Sequence, residues 1–359
     1  MDFSLLFQYT DAIEDKGGRA MTLKEIAKEA GVSVSTVSRV INNNSKAASK
    51  EVQERIWEIV RRTGYTPNSA AQNLKQGRTS SSESKSRSIA CLFARTSNTM
   101  TDMFFSSLAR SIEQEAFLHN YILKYSFSSF DINNPSTYQL IADNNVNGIA
   151  VLGRCDKQTL KFLRQYFNNI VYAGLNSLDA NYDQIICEGK QAAITVTEHL
   201  INLGHTRIGY IGETSCEERY AGYCEALSRR RVPFHKEYVA DVKLSSEDGY
   251  RGAKLLLERH TDISAVFCSN DITAIGAMHA FQENDLQIPR DISVISIDDI
   301  DTAQYLTPML TTIHIPTQEL GQMAAKILID RIEGGHRLPV KMNLPFYLAS
   351  RESCGRYRG

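Results

Sequence analysis

The sequence has no run of about 18 apolar residues, the length that a membrane-crossing helix needs. Its first twenty residues lack the basic stretch, apolar core and small-residue cleavage site of a secretory signal. Cysteine is sparse: seven residues, at 91, 155, 187, 216, 224, 268 and 354, never spaced C-x-x-C. That argues against a disulfide framework or a zinc site and for a reducing cytoplasm. The eight histidines show no metal-ligand spacing, so neither metal nor cofactor is expected. G-x-S-x-G, H-E-x-x-H, P-loop and G-x-G-x-x-G patterns are all missing, so no reaction has a candidate site and an enzyme is not expected.

What the chain does have is length and unevenly placed charge. Its 359 residues, 42% apolar and 23% charged, are too many for one ordinary core and suggest two or three soluble domains. The net charge is −1 overall, yet residues 21–87 carry twelve Lys/Arg against six Asp/Glu, while residues 88–359 carry 26 against 31. A small basic module on a larger acidic body attracts phosphate at one end only. Residues 1–20 show no cap or period, and Lys16-Gly17-Gly18 can be encoded as a ribosome-binding sequence at workable spacing before Met21. They are expected to be either a disordered tail or an untranslated leader read as protein.

From Thr22 the local signals sharpen. Thr22 and Glu25 form a capping box, and Leu23, Ile26, Ala27 and Ala30 share a face. Gly31 supplies a tight turn, Ser33 caps a helix from about 34 to 41, and Ser49 caps a third with Val52, Ile56, Ile59 and Val60 inward. Two short helices around a glycine turn, braced by a third, predict a helix-turn-helix over 21–66. A two-turn helix follows over 67–77, between Pro67-Asn68 and Gly77; it is too short to be stable alone and should order only against a partner. Residues 78–87 read as a polar linker.

Beyond residue 88, apolar strands (89–94, 148–153, 170–175, 207–212, 264–269, 292–297) alternate with helices near 104–119, 191–203, 219–229, 247–259, 272–284 and 317–333. This pattern predicts parallel sheets in α/β layers, long enough for two lobes with a cleft between them.

TLKEIAKEAGVSVSTVSRVINN (22–43) and GYTPNSAAQNLKQG (64–77) resemble the DNA-binding head of the lactose-repressor/galactose-repressor (LacI/GalR) family. LGHTRIGYIG (203–212), RYAGYCEAL (219–227), AVFCSNDITAIGAM (265–278), IPRDISVISIDD (288–299) and LTTI (310–313) resemble its sensor, and the likeness runs in order over about 21–350. The resemblance implies an all-α head with a hinge helix, joined to a two-lobed α/β sensor like the periplasmic sugar-binding proteins. The sensor would span 88–350, with lobe 1 at about 88–177 and 316–335 and lobe 2 at about 178–314 and 340–350. It implies a homodimer on a double-stranded operator with half-site symmetry, and a small effector such as a sugar. A repressor of carbohydrate-utilisation genes is the expected function; the alternative is a regulator that needs a corepressor, a purine or a phosphoprotein. Two departures bear on the ligand: Asp102-Met103 precede the Phe104-Phe105 pair where Asn-Pro is common, and Ser296 replaces a common glycine.

Position on the second helix makes Val34, Ser35 and Arg39 the base readers, with Arg39 suited to a bidentate pair with guanine. For Val34 the other reading is a core valine. Thr22, Ser33, Thr36, Ser38, Asn42 and Tyr65 fit phosphate contacts; Thr22 and Ser33 are equally helix caps. The resemblance makes Leu74 a minor-groove wedge, with Lys75 beside it. It also makes Arg219, Asn270 and Asp298 the polar effector contacts and Phe105 a stacking partner, with Asp156 and Ser215 as further candidates. Asp271 and Asp299 read equally well as caps at strand ends.

Overall fold

Short-range capping decides where the first helices begin and end. The computed structural model describes residues 21–41, 48–63, 65, 87–94, 103–128, 145–259 and 262–358. The predicted hinge at 67–77, with Leu74 and Lys75, and also Asn42 lie outside the described residues. Helix α1 (Leu23–Ala30) opens with the capping box: Thr22 Oγ1 accepts from Glu25 N at 3.4 Å and Thr22 N donates to Glu25 Oε2 at 2.6 Å. Gly31, at φ 68°, ends it in a left-handed turn that any side chain would strain. Helix α2 (Val34–Ile41) starts on Ser33, whose Oγ accepts from Thr36 N at 3.1 Å. Helix α3 (Lys50–Thr63) starts on Ser49. Ile26, Val37 and Ile56 are fully buried where the three helices meet, with Ala27, Ala30, Val40, Ile41, Ile59 and Val60 around them.

The sensor, a second compact unit, builds two six-stranded sheets. In chain order its elements begin β1 (Ser88–Phe93), α4 (Met103–Leu118), β2 (Ile122–Ser128), β3 (Gly148–Leu152), α5 (Lys157–Tyr166), β4 (Ile170–Gly174) and β5 (Asp183–Ile186). Then come α6 (Gly189–Asn202), β6 (Ile208–Gly212), α7 (Glu218–Arg229), β7 (Val239–Asp241), α8 (Ser246–Glu258), β8 (Ala265–Cys268) and α9 (Asp271–Glu283). The last are β9 (Ser293–Asp298), β10 (Thr311–His314), α10 (Thr317–Glu333), β11 (Lys341–Asn343) and β12 (Tyr347–Ala349). The first sheet runs β2-β1-β3-β4-β5-β11 and the second β7-β6-β8-β9-β10-β12. All pairings are parallel except β12 on β10. Central strands are buried on both faces, as helices on each side require, whereas edge strand β2 alternates exposed and half-buried.

The first sheet reaches further than the expected 88–177 and 316–335, because β5 and β11 also belong to it. Helix α10 returns to it as well, docked on α4 where Ser111 Oγ donates to Gln318 O at 2.6 Å. The chain therefore passes between lobes three times, after β5, after β10 and after β11.

Candidate ligand cavity and DNA-reading face

On α2, burial of Val37, Val40 and Ile41 turns the opposite face outward. Val34 is 40% exposed, so it does not belong to the head core; Ser35 and Arg39 are exposed beside it. Ser33 Oγ lies 2.8 Å from both Ser35 Oγ and Thr36 Oγ1, a hydroxyl cluster at the start of the helix. Thr36 and Ser38 are half-buried on the flank. Thr22 is engaged in its cap, and Tyr65 packs against the head core, its phenol pKa raised by burial.

In the sensor a cavity of about 480 Å³ lies at the carboxyl ends of both sheets. Strand order reverses there between β1 and β3 and between β6 and β8, the position at which open α/β sheets take ligands. Four of the six expected residues, Phe105, Arg219, Asn270 and Asp298, line it together. Asp156 does not: it is exposed, and its Oδ1 caps α5 by accepting from Thr159 N at 2.7 Å. Ser215 is exposed and also outside the lining. Arg154, Asn176, Glu213, Lys243 and Asp248 line the cavity without having been singled out. The first three each follow directly on a predicted strand, a signal that could have found them.

Arg219 is the best-anchored wall residue. It is 4% exposed, and Glu217 beside it is 3% exposed. Its Nε donates to Glu217 Oε1 at 2.8 Å, Nη2 to Oε2 at 3.2 Å and Nη1 to Ser269 O at 2.9 Å. Burial alone would lower the Arg219 pKa; Glu217, with help from Asp298, more than offsets it and holds the group cationic. On the first-lobe wall Phe104 and Phe105 meet edge to face, 5.2 Å apart.

Asp298 ends β9 at φ 137°, followed by Asp299 at φ 58°, so the turn that lines the cavity is backbone-strained. Fully buried Asp271 holds that turn: its Oδ2 accepts from Ile300 N at 2.9 Å, and Oδ1 from Ser296 Oγ at 2.5 Å and Thr312 Oγ1 at 2.6 Å. Ser296, the departure from the common glycine, therefore serves Asp271. Burial pushes the Asp271 carboxyl up to about 6, against the pull of these three donors. On the other side of the turn, Asp299 accepts from Arg351 Nη2 at 2.6 Å and pairs with His314 at 2.8 Å.

Among the described residues no cluster of His, Cys, Asp and Glu could hold a metal ion, and no helix is long and apolar enough to cross a membrane. Known proteins share both halves of this arrangement. The profile of the lacI family of bacterial regulatory proteins matches residues 22–68, and that of the periplasmic binding protein-like domain matches residues 197–354. The HTH-type transcriptional repressor PurR of Aliivibrio salmonicida (strain LFI1238) is 30% identical over 324 residues, 88% of this chain and 93% of the relative. The chain belongs to the LacI family. It is thus a DNA-binding transcription regulator with a ligand-binding sensor, in a family of regulators and not of enzymes. In fold, this LacI-family chain is similar to the transcriptional regulator CelR in its cellobiose complex, with TM-score 0.69 and 25% identity over 93% of this chain and 99% of that one. It is also similar to the lac repressor dimer bound to operator and the anti-inducer ONPF, with TM-score 0.66 and 23% identity over 93% and 99% of the two chains.

Proposed function

We propose that this protein is a repressor that binds a two-fold symmetric operator as a homodimer, under the control of a small uncharged polyhydroxylated molecule, a sugar or sugar derivative. Carbohydrate-utilisation genes are its targets in this reading. The observation that carries it is the convergence of Arg219, Asn270 and Asp298 with Phe105 in one cavity. Guanidinium and carboxylate bind hydroxyl pairs, and an aromatic face takes the C–H side of a sugar ring. The two less exposed cations on the wall are already matched, Arg219 by Glu217 and Arg154 by Glu213, and the third, Lys243, is exposed, which favours a ligand without charge. CelR, of similar fold, is described with cellobiose bound.

On the DNA side, Arg39, Ser35 and Val34 read base edges, and Leu74 and Lys75 enter the minor groove; Thr22, Ser33, Thr36, Ser38, Asn42 and Tyr65 contact phosphate. The ligand changes operator affinity by the 1–3 kcal/mol common in such coupling, about 5- to 150-fold. Thermal-shift titration with ribose, cellobiose, hypoxanthine and guanine, followed by operator binding with each stabilising compound, tests this reading. A melting-temperature rise with a sugar and a change in operator affinity support it. Stabilisation by a purine alone, with tighter operator binding, replaces it with the corepressor reading.

A further inference from the structure

One basic residue spans the cleft. Arg154 leaves the first lobe directly after β3 and Gly153, and its partners all lie in the second-lobe segment between β6 and α7. Its Nη2 donates to Glu213 Oε2 at 2.9 Å, and its Nη1 donates to the carbonyls of Ser215, at 3.0 Å, and Cys216. Nη1 also stands 3.8 Å from Glu217 Oε2. The side chains of Arg154 and Glu213 are each 27% exposed and that of Glu217 is wholly buried, so water screens this cluster far less than a surface pair. At the other rim the contact is slight: Thr302 Oγ1 lies 3.6 Å from Met103 Sδ, a weak acceptor.

We propose that Arg154 is the closing residue of the cavity, a latch that holds the lobes together over a bound ligand and, through their shared partner Glu217, positions Arg219. This rests on the reading of the cavity as the ligand site. With the lobes together, Glu217 is shared between two guanidinium groups, one from each lobe. When the lobes part, Arg154 takes its charge away from Glu217 and leaves Arg219 as the guanidinium beside that wholly buried carboxylate. The three bonds that Arg219 makes leave two of its five N–H donors for a ligand on the cavity wall. A ligand that engages those donors and lobe closure by Arg154 therefore act on one carboxylate from two sides. Asn270, by contrast, is tied within the second lobe, its Oδ1 accepting from Thr273 N at 3.1 Å.

The test needs no ligand, so it is independent of whether a sugar binds. Small-angle X-ray scattering of the full chain is compared for wild type, Arg154→Ala, Arg154→Lys, Glu213→Gln and the Arg154→Ala/Glu213→Gln pair, with circular dichroism as the check on folding. Arg154→Ala and Glu213→Gln should each raise the radius of gyration, by on the order of 1 Å, where the sensor alone, as a compact unit, would have about 18 Å. The double variant should open no further than Arg154→Ala, since the two residues act as one pair. Arg154→Lys, which keeps the charge, should recover part of the closure. Raising salt from about 0.1 to 0.5 M should open wild type much less than Arg154→Ala does, since a partly buried pair is screened little. Should Arg154→Ala misfold, Glu213→Gln carries the test alone. Scattering curves for folded Arg154→Ala and Glu213→Gln that superimpose on wild type at both salt levels would overturn the proposal.

Discussion

Replacing Arg219 by alanine perturbs much more than a ligand contact. Both members of the Arg219–Glu217 pair are buried to within a few per cent, and the guanidinium also satisfies the Ser269 carbonyl. Taking the cation away leaves a buried carboxylate that keeps the backbone N–H of residue 219 at 3.2 Å but loses its guanidinium, and breaking a buried pair from one side costs about 3–5 kcal/mol. Arg154, 3.8 Å from Glu217, recovers part of that, which puts the expected loss toward the lower figure. At about 2–4 °C per kcal/mol for a domain of this size, Arg219→Ala should melt about 6–12 °C below wild type. The assay is calorimetry of the ligand-free protein, with Arg219→Ala/Glu217→Ala as the partner variant. That double variant should be more stable than Arg219→Ala alone, because no orphan charge remains. Melting of Arg219→Ala within about 1 °C of wild type, well inside the shift worked out above, would refute the view of Glu217 as a carboxylate dependent on Arg219.

Asp298→Ala should weaken ligand binding about ten- to a hundredfold, the worth of charged hydrogen bonds, and leave operator affinity without ligand unchanged; isothermal titration and anisotropy read the two halves. Asp271 titrates near 6 when folded against 3.8 when free, so the folded state keeps a proton that the unfolded chain has lost. Its stabilisation is complete below pH 3.8 and is lost as pH rises through about 6, so Asp271→Asn should flatten the fall in urea midpoint across that window. An unaltered pH slope in the variant would remove Asp271 as the source. On the DNA side, Arg39→Ala should relax base preference at one position in each half-site, by about 1–3 kcal/mol, as read by competition among operator variants. Equal loss on every variant would make it a phosphate contact instead.

The head was legible almost to the residue because its signals are local. Thr22, Glu25, Gly31, Ser33 and Ser49 each act within a few positions of the helix end that they define. The central strands were legible from their unbroken apolar runs. Strands β5, β7, β10, β11 and β12 were not, since each is three or four residues long and owes its place to pairing with distant chain. Buried Asp183 in β5 looks unlike a strand residue until Arg331, His336 and the Val340 amide, all about 150 residues later, satisfy its carboxylate. Edge strand β2 was a missed opportunity: Leu123, Tyr125 and Phe127 alternate with Lys124 and Ser126. In the cavity, resemblance located Arg219, Asn270 and Asp298. A simpler rule, the polar residue directly after each predicted strand from 148 onward, selects Arg154, Asn176, Glu213, Asn270 and Asp298 together. Lys243 and Asp248 escape it because they come from a loop and from the first turn of α8.

The late return of the chain to its first sheet has a consequence for how the protein is made. Strands β1 to β5 have left the ribosome well before α10 and β11 are translated, yet one face and one edge of their sheet depend on those two elements. Between Ile186 and Asn343 the ribosome must add about 160 residues, which takes about 8–30 s at ordinary elongation rates. Through that interval the nascent first lobe exposes an apolar face and an unpaired β5 edge while the second lobe is still being assembled. Protein yield in the cell should therefore depend on nascent-chain chaperones, and destabilising changes in the α4 face that receives α10 should cost more yield than equal changes in α8 or α9.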